Sequence, residues 1–163
     1  MSAAGKLYES AVTKRLSCAA FAAVVLAPVA SAAPVALHVT ASDTHPGAQR
    51  VALKLRFDGE LQCGTVAGHS LKVTLPAAAQ IPSSVAPRAL LVNGQQAGSI
   101  VVRRNVITVT PKHPPDLCDI VTDGAIRITF TRRAGLGNPV KAGTYPIVVA
   151  QGAALARGRL IVR

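Results

Sequence analysis

The feature that most restricts this chain is a period of two in its apolar residues, broken at short intervals by turn pairs. Val35, Leu37 and Val39 alternate with Ala36, His38 and Thr40, and Val51, Leu53, Leu55 and Phe57 alternate with Ala52, Lys54 and Arg56. Leu71, Val73 and Leu75 alternate with Lys72 and Thr74, and Ile126, Ile128 and Phe130 with Arg127, Thr129 and Thr131. Tyr145, Ile147 and Val149 follow the same rule, and Leu160 and Val162 end the chain. Successive side chains of a strand point to opposite faces, so each set buries one row and wets the other. Asp58-Gly59, Asn93-Gly94 and Asp123-Gly124 supply the positive φ of tight turns. Arg103-Arg104-Asn105 is expected to turn Ser99–Val102 into Val106–Thr110. The Pro-bearing runs 76–87 and 111–115 read as loops or edges, because proline cannot donate to a ladder. No helical period is sustained, and Ala77–Ala79 and Ala153–Arg157 offer one helical turn at most. Eight or nine short strands at this spacing predict an all-β domain, a two-sheet β-sandwich first and a closed barrel as runner-up.

The N-terminal apolar run is not a membrane span. Lys14-Arg15 precedes an apolar stretch from Leu16 to Ala27, and Ala30-Ser31-Ala32 closes it. That order is a Sec signal peptide, with cleavage expected between Ala32 and Ala33. Cys18 lies ahead of the apolar run's end, which argues against a lipoprotein, and Lys14-Arg15 is not a twin-arginine pair. Residues 1–11 fit no signal-peptide logic, so translation is expected to begin at Val12, through a GTG start. The organisation expected is an extension and signal peptide over 1–32 and one β domain over 33–163. The expected location is secreted or in the cell envelope. Two cysteines remain after cleavage, Cys63 and Cys118, and an even pair in an exported chain reads as a disulfide.

Catalytic and metal chemistry find little to use. Of the carboxylates, Asp58 and Asp123 belong to turns, and Glu60 is expected to face solvent. There is no Gly-x-Ser-x-Gly elbow, and His69-Ser70 is a sequence neighbour pair without implied geometry. His38, His45, His69 and His113 match no zinc or copper spacing. Asp116, Asp119 and Asp123-Gly124 depart from the calcium-loop pattern. No cofactor, metal or catalytic residue is assigned, and an enzyme is not expected.

Charge is the positive functional signal. From Ala33 onward the chain has 11 Arg, 4 Lys and 6 acidic residues, a net charge of +9. The excess of Arg over Lys, with abundant Ala, Val and Gly, suggests a GC-rich bacterial genome. Arg103, Arg104, Arg132 and Arg133 fall at turns or strand ends, and Arg157 and Arg159 mark the C-terminal strand. These six are the candidate anion-binding residues, since clustered cations create a field that attracts polyanions. Nucleic acid is disfavoured by compartment and by the scarcity of aromatics for stacking.

Residues 135–149 read Gly-Leu-Gly-Asn-Pro-Val-Lys-Ala-Gly-Thr-Tyr-Pro-Ile-Val-Val. This resembles a run, G-[IL]-x-N-P-x-x-A-G-x-Y-x-[IL]-x-V, found in immunoglobulin-like β-sandwich modules of prokaryotic cell-surface proteins. Weaker likeness extends upstream over Ala89–Gly94, Asn105–Thr110 and Asp123–Phe130. Pro146, the cysteine pair and the lack of a tandem copy depart from that pattern. The resemblance gives Asn138, Pro139, Gly143 and Tyr145 structural roles, with Tyr145 as a tyrosine-corner residue. The function it implies is an exported, non-enzymatic binding or structural module of the envelope, contacting an anionic polymer or a partner protein. A secreted carrier of an apolar ligand is the alternative, and an enzyme of unknown type the third.

Overall fold

The computed structural model describes residues 35–59, 70–112, 124–152 and 154–163. The chain divides into Met1–Ser31 and Ala32–Arg163, and every described residue belongs to the second unit. The expected signal peptide, Cys63, Cys118, Glu60, His69, His113, Asp116, Asp119 and Asp123 lie outside the described residues.

Among the described residues nine strands form in chain order: β1 Val35–Ala41, β2 Leu53–Asp58, β3 Leu71–Thr74, β4 Leu90–Val92, β5 Gln95–Arg103, β6 Val106–Pro111, β7 Ala125–Phe130, β8 Gly143–Gln151 and β9 Ala154–Val162. The alternation works as the sequence implies. In β2, Leu53, Leu55 and Phe57 are buried and Lys54, Arg56 and Asp58 exposed. Leu71, Val73, Ile107, Val109, Ile128, Phe130, Ile147 and Val149 add inward rows, each 0–1% exposed, to one continuous core. Burying each such side chain contributes roughly 1.5–3 kcal/mol, so this shared interior is what holds the strands together.

The expected open sandwich is corrected by the strand pairing, and the runner-up barrel is what forms. The order is β1-β2-β7-β4-β5-β6-β3-β8-β9, closed by β9 against β1. Two strands serve two neighbours at the corners. β5 gives Gln95 and Gln96 to β4 and Ala97 to Arg103 to β6, with a bulge between Ala97 and Ser99. β1 gives Leu37–Ala41 to β2, antiparallel, and Val35 and Ala36 to β9, parallel. A bulge lets a strand change direction and pass from one sheet to the next. Closure removes the exposed edges that a sandwich would carry.

Gly158 makes the last seam passable. A Cβ at this position would run into the carbonyl oxygen of Leu37 and the side chain of Val39, so only glycine lets β9 approach β1 this closely. At the β4–β5 hairpin, Asn93 and Gly94 have φ of 49° and 84°, the doubly positive turn that the Asx-Gly pair announces. Arg104, with φ of 54°, makes the β5–β6 turn. The C-terminal stretch differs from expectation. Ala154–Arg157 is strand, because β9 pairs with β8 from Gly143↔Val162 to Gln151↔Ala154, and that ladder overrides the helical preference of alanine. Two single 3-10 turns form at Pro87–Ala89 and Arg132–Ala134.

Candidate functional site: a cationic cleft at one end of the barrel

Consecutive strands run up and down, so the connections gather at two ends. One end, here called the rim, carries the loops 42–52, 75–89 and 131–142, the Arg104-Asn105 turn and Arg163. Backbone bonds lace these loops together. Gly47 N donates to Pro139 O at 2.9 Å, Val51 N to Leu136 O at 2.7 Å and Asn138 N to Ala48 O at 2.8 Å. Gln80 and Gly137 exchange N–H donors at 3.0 and 2.8 Å, and Arg163 N donates to Thr44 O at 2.8 Å.

Asn138 is the central staple. It is 2% exposed, and its Nδ2 donates to the carbonyls of Asp43 and His45, both at 3.0 Å. Its own carbonyl accepts from Gln80 Nε2 at 3.1 Å, and Gln80 Oε1 in turn accepts from Gln49 Nε2. Tyr145 is half-buried and donates its hydroxyl to Lys141 O at 2.8 Å, which ties the end of the 131–142 loop to the start of β8. Its ring lies over Gly143, where a Cβ would meet the ring at 3.4 Å.

Between the laced loops lies a cleft of about 810 Å³, lined by Asp43, Arg50, Arg88, Arg132 and Arg133 among others. Arg50 has φ of 52° and precedes β2. Arg88 sits in the Pro87–Ala89 turn, and Arg132 and Arg133 in the Arg132–Ala134 turn, which Gly135 ends in the left-handed region at φ 72°. Thr131 fixes the two turns to each other, its N and Oγ1 donating to Ala89 O at 2.9 and 3.1 Å. All four guanidinium side chains are exposed, and none has a hydrogen bond or ion pair with another described residue. The one acid of the cleft, Asp43, is engaged elsewhere. Its Oδ1 accepts from the His45 backbone N at 2.9 Å and contacts His45 Nδ1 at 2.8 Å. The backbone bond first and the ring bond second hold the Asp43 carboxyl below its ordinary value of 3.8.

The candidate residues thus separate. Arg132 and Arg133 enter the cleft. Arg103 and Arg104 stand at the same end, in the β5–β6 turn, but do not line it. Arg157 and Arg159 face outward from β9 on the barrel wall. Arg50 and Arg88 were not singled out by sequence reasoning. Their signal is topological: each lies next to a strand start, β2 or β4, at the end where β7 finishes.

Ser42, Asp43 and His45 are the residue types of a hydrolytic triad, and Asp43 does hold His45. However, Ser42 Oγ accepts from Ala52 N at 2.9 Å, and among the described residues no hydrogen bond joins Ser42 to His45. Among the described residues there is also no group of three or more His, Cys, Asp or Glu positioned for a metal ion.

The fold and this end define a closed all-β barrel with a cationic rim. No protein-family profile and no curated protein matches the sequence. Among solved structures the chain is similar to BslA, a bacterial hydrophobin, at a TM-score of 0.50 and 15% identity, covering 80% of this chain and 97% of that one. It is similar to the N-terminal domain of the Streptococcus gordonii adhesin Sgo0707 at a TM-score of 0.45 and 13% identity, over 81% of this chain and 32% of that one. It is also similar to the Corynebacterium diphtheriae major pilin SpaA at a TM-score of 0.40 and 12% identity, over 78% of this chain and 37% of that one. The chain spans about a third of the adhesin and pilin chains. At these identities the likeness is one of fold.

Proposed function

We propose that this protein is an exported, non-enzymatic binding module of the bacterial cell envelope, and that its rim cleft takes the anionic groups of an envelope polymer. The observation that carries the reading is the convergence of Arg50, Arg88, Arg132 and Arg133 on one cleft whose one described acid, Asp43, is held by His45. Gathered like charges repel, and an anion that bridges them removes that repulsion. Guanidinium forks suit phosphate and carboxylate because two parallel N–H donors match two oxygens. The signal-peptide pattern of residues 14–32 and the surface-protein resemblance of residues 135–149 support the compartment.

Two other readings gain less. A carrier of an apolar ligand needs an interior cavity, whereas the apolar pocket under the rim, beside Leu53, Leu75 and Leu136, holds about 20 Å³. That is room for no more than a water. A hydrophobin role, as named for BslA, needs a continuous apolar face. The large exposed hydrophobics among the described residues are Val35, Val101, Val140, Leu155 and Ile161, and they are spread over β1, β5, the 131–142 loop and β9.

The test is titration of the purified protein with tripolyphosphate, followed by thermal unfolding. At a hundredfold excess over Kd, a ligand of the folded state alone stabilises by about 2.7 kcal/mol. Arg88→Gln/Arg132→Gln is expected to remove most of that gain. A parent whose Tm does not move with tripolyphosphate, or a variant that gains as much as the parent, overturns the reading.

A further inference from the structure

We infer that the outer wall formed by β9, β1, β2 and β7 is a second anion-binding surface, which makes the protein bivalent for extended polyanions. This goes beyond the rim cleft, shares no residue with it, and rests on strand register. The four strands are consecutive neighbours around the barrel. His38 is directly opposite Arg56, and Arg56 directly opposite Arg127, so one rung of the wall carries three basic side chains. The next rung is Thr40, Lys54 and Thr129. On the other side of β1, Arg157 is in register with Ala36, and Arg159 follows two residues later on the same outward face.

Opposed residues on adjacent strands are about 5 Å apart at Cβ, which places Arg56 and Arg127 side by side on the wall. Asp58, at the end of β2, is the one described acid on these outward rows. A shallow groove of about 620 Å³ passes over His38, Thr40, Lys54, Arg56, Arg127 and Thr129. Its cations run across the strands, and the threonine hydroxyls beside them are further donors for anionic oxygens. A linear polyanion fits this row. A lipid bilayer fits it less well, because interfacial binding needs apolar side chains to insert. The outward residues that line the groove, His38, Thr40, Lys54, Arg56, Asp58, Arg127 and Thr129, include no large hydrophobic, and the exposed Val35 of β1 and Leu155 and Ile161 of β9 lie outside it.

The wall is on the side of the barrel and the cleft at its end, so two polymer segments can be held at once. Long-chain inorganic polyphosphate is the probe, with Lys54→Gln/Arg56→Gln as the wall variant and Arg88→Gln/Arg132→Gln as the cleft variant. All four positions are exposed, and an unchanged Tm confirms folding. The parent is expected to cross-link long polyphosphate into light-scattering particles, while each variant binds it without scattering. The wall variant is also expected to lose about tenfold in affinity at low salt, and its slope of log K against log salt to fall by about 1.5, the release expected for two lost contacts. An unchanged slope with parent-like scattering overturns the wall and leaves the rim reading intact. Loss confined to the wall variant supports the wall and overturns the rim. Wall-dependent binding to phosphatidylglycerol vesicles without binding to polyphosphate overturns the polymer as occupant.

Discussion

Replacing Asn138 with alanine should loosen the whole rim, and the size of the effect follows from its partners. The side chain, itself buried, donates at two points to the 42–47 turn, the Asp43 and His45 carbonyls, each at 3.0 Å. Each bond contributes about 1 kcal/mol net, and carbonyls left without a donor cost a further 1–3 kcal/mol together. The sum is about 3–5 kcal/mol. For a domain of this size that corresponds to a fall in Tm of roughly 10–18 °C. The backbone bonds of Asn138 to Ala48 and Gln80 survive the change, so the barrel itself should still form. The released segment carries Asp43 and Arg50 into the cleft, so tripolyphosphate affinity should fall severalfold well below the new Tm. Asn138→Asp is expected to be at least as damaging, because a carboxylate would face two carbonyl oxygens. Calorimetry and urea unfolding measure the effect. A Tm within about 2 °C of the parent, with unchanged affinity, would refute the staple.

Gly158→Ala should be among the most damaging single-atom additions, costing about 3 kcal/mol or preventing folding, since its Cβ meets the Leu37 backbone; soluble yield and urea midpoint check it. Asp43 has its folded value lowered by His45, so its contribution to stability is present above about pH 3.8 and is lost as pH falls through the lower folded value. In that window the unfolded chain binds more protons, stability rises with pH, and Asp43→Asn should flatten this part of the acid limb in urea midpoints measured between pH 2.5 and 5. The disulfide expected between Cys63 and Cys118 would give an intact mass two hydrogens below the reduced chain and a loss of about 4 kcal/mol in Cys63→Ser/Cys118→Ser, and a mass equal to the reduced chain would refute it.

The strands were legible because a period of two needs only one buried face, and Leu53–Asp58 or Ala125–Phe130 shows it within six residues. The β4–β5 hairpin was legible because Asn93-Gly94 has few other uses. Closure was not legible. An inward row of Val35, Leu37 and Val39 looks the same at a sandwich edge and in a barrel. What decides is the parallel contact of Val35 and Ala36 with β9, more than a hundred residues away, and Gly158 is its one local trace. The same holds for the cleft. Arg132-Arg133 announces itself as a pair, but Arg50 and Arg88 are single residues in separate loops, brought together only by the up-and-down course of the chain.

Topology also gives the charge a direction. All 15 Lys and Arg after residue 33 lie in the described barrel, against two described acids, Asp43 and Asp58. The other four acids of that part, Glu60, Asp116, Asp119 and Asp123, belong to segments whose flanking residues, Gly59, Ser70, Lys112 and Gly124, sit at the end opposite the rim. Among the described residues the rim gathers Arg50, Arg88, Arg104, Arg132, Arg133, Lys141 and Arg163 against one acid, Asp43. If the proposed function holds, an anionic surface would draw this rim toward it before contact. The wall, running down the side from that end, would then lie where a polymer continuing past the rim would meet it.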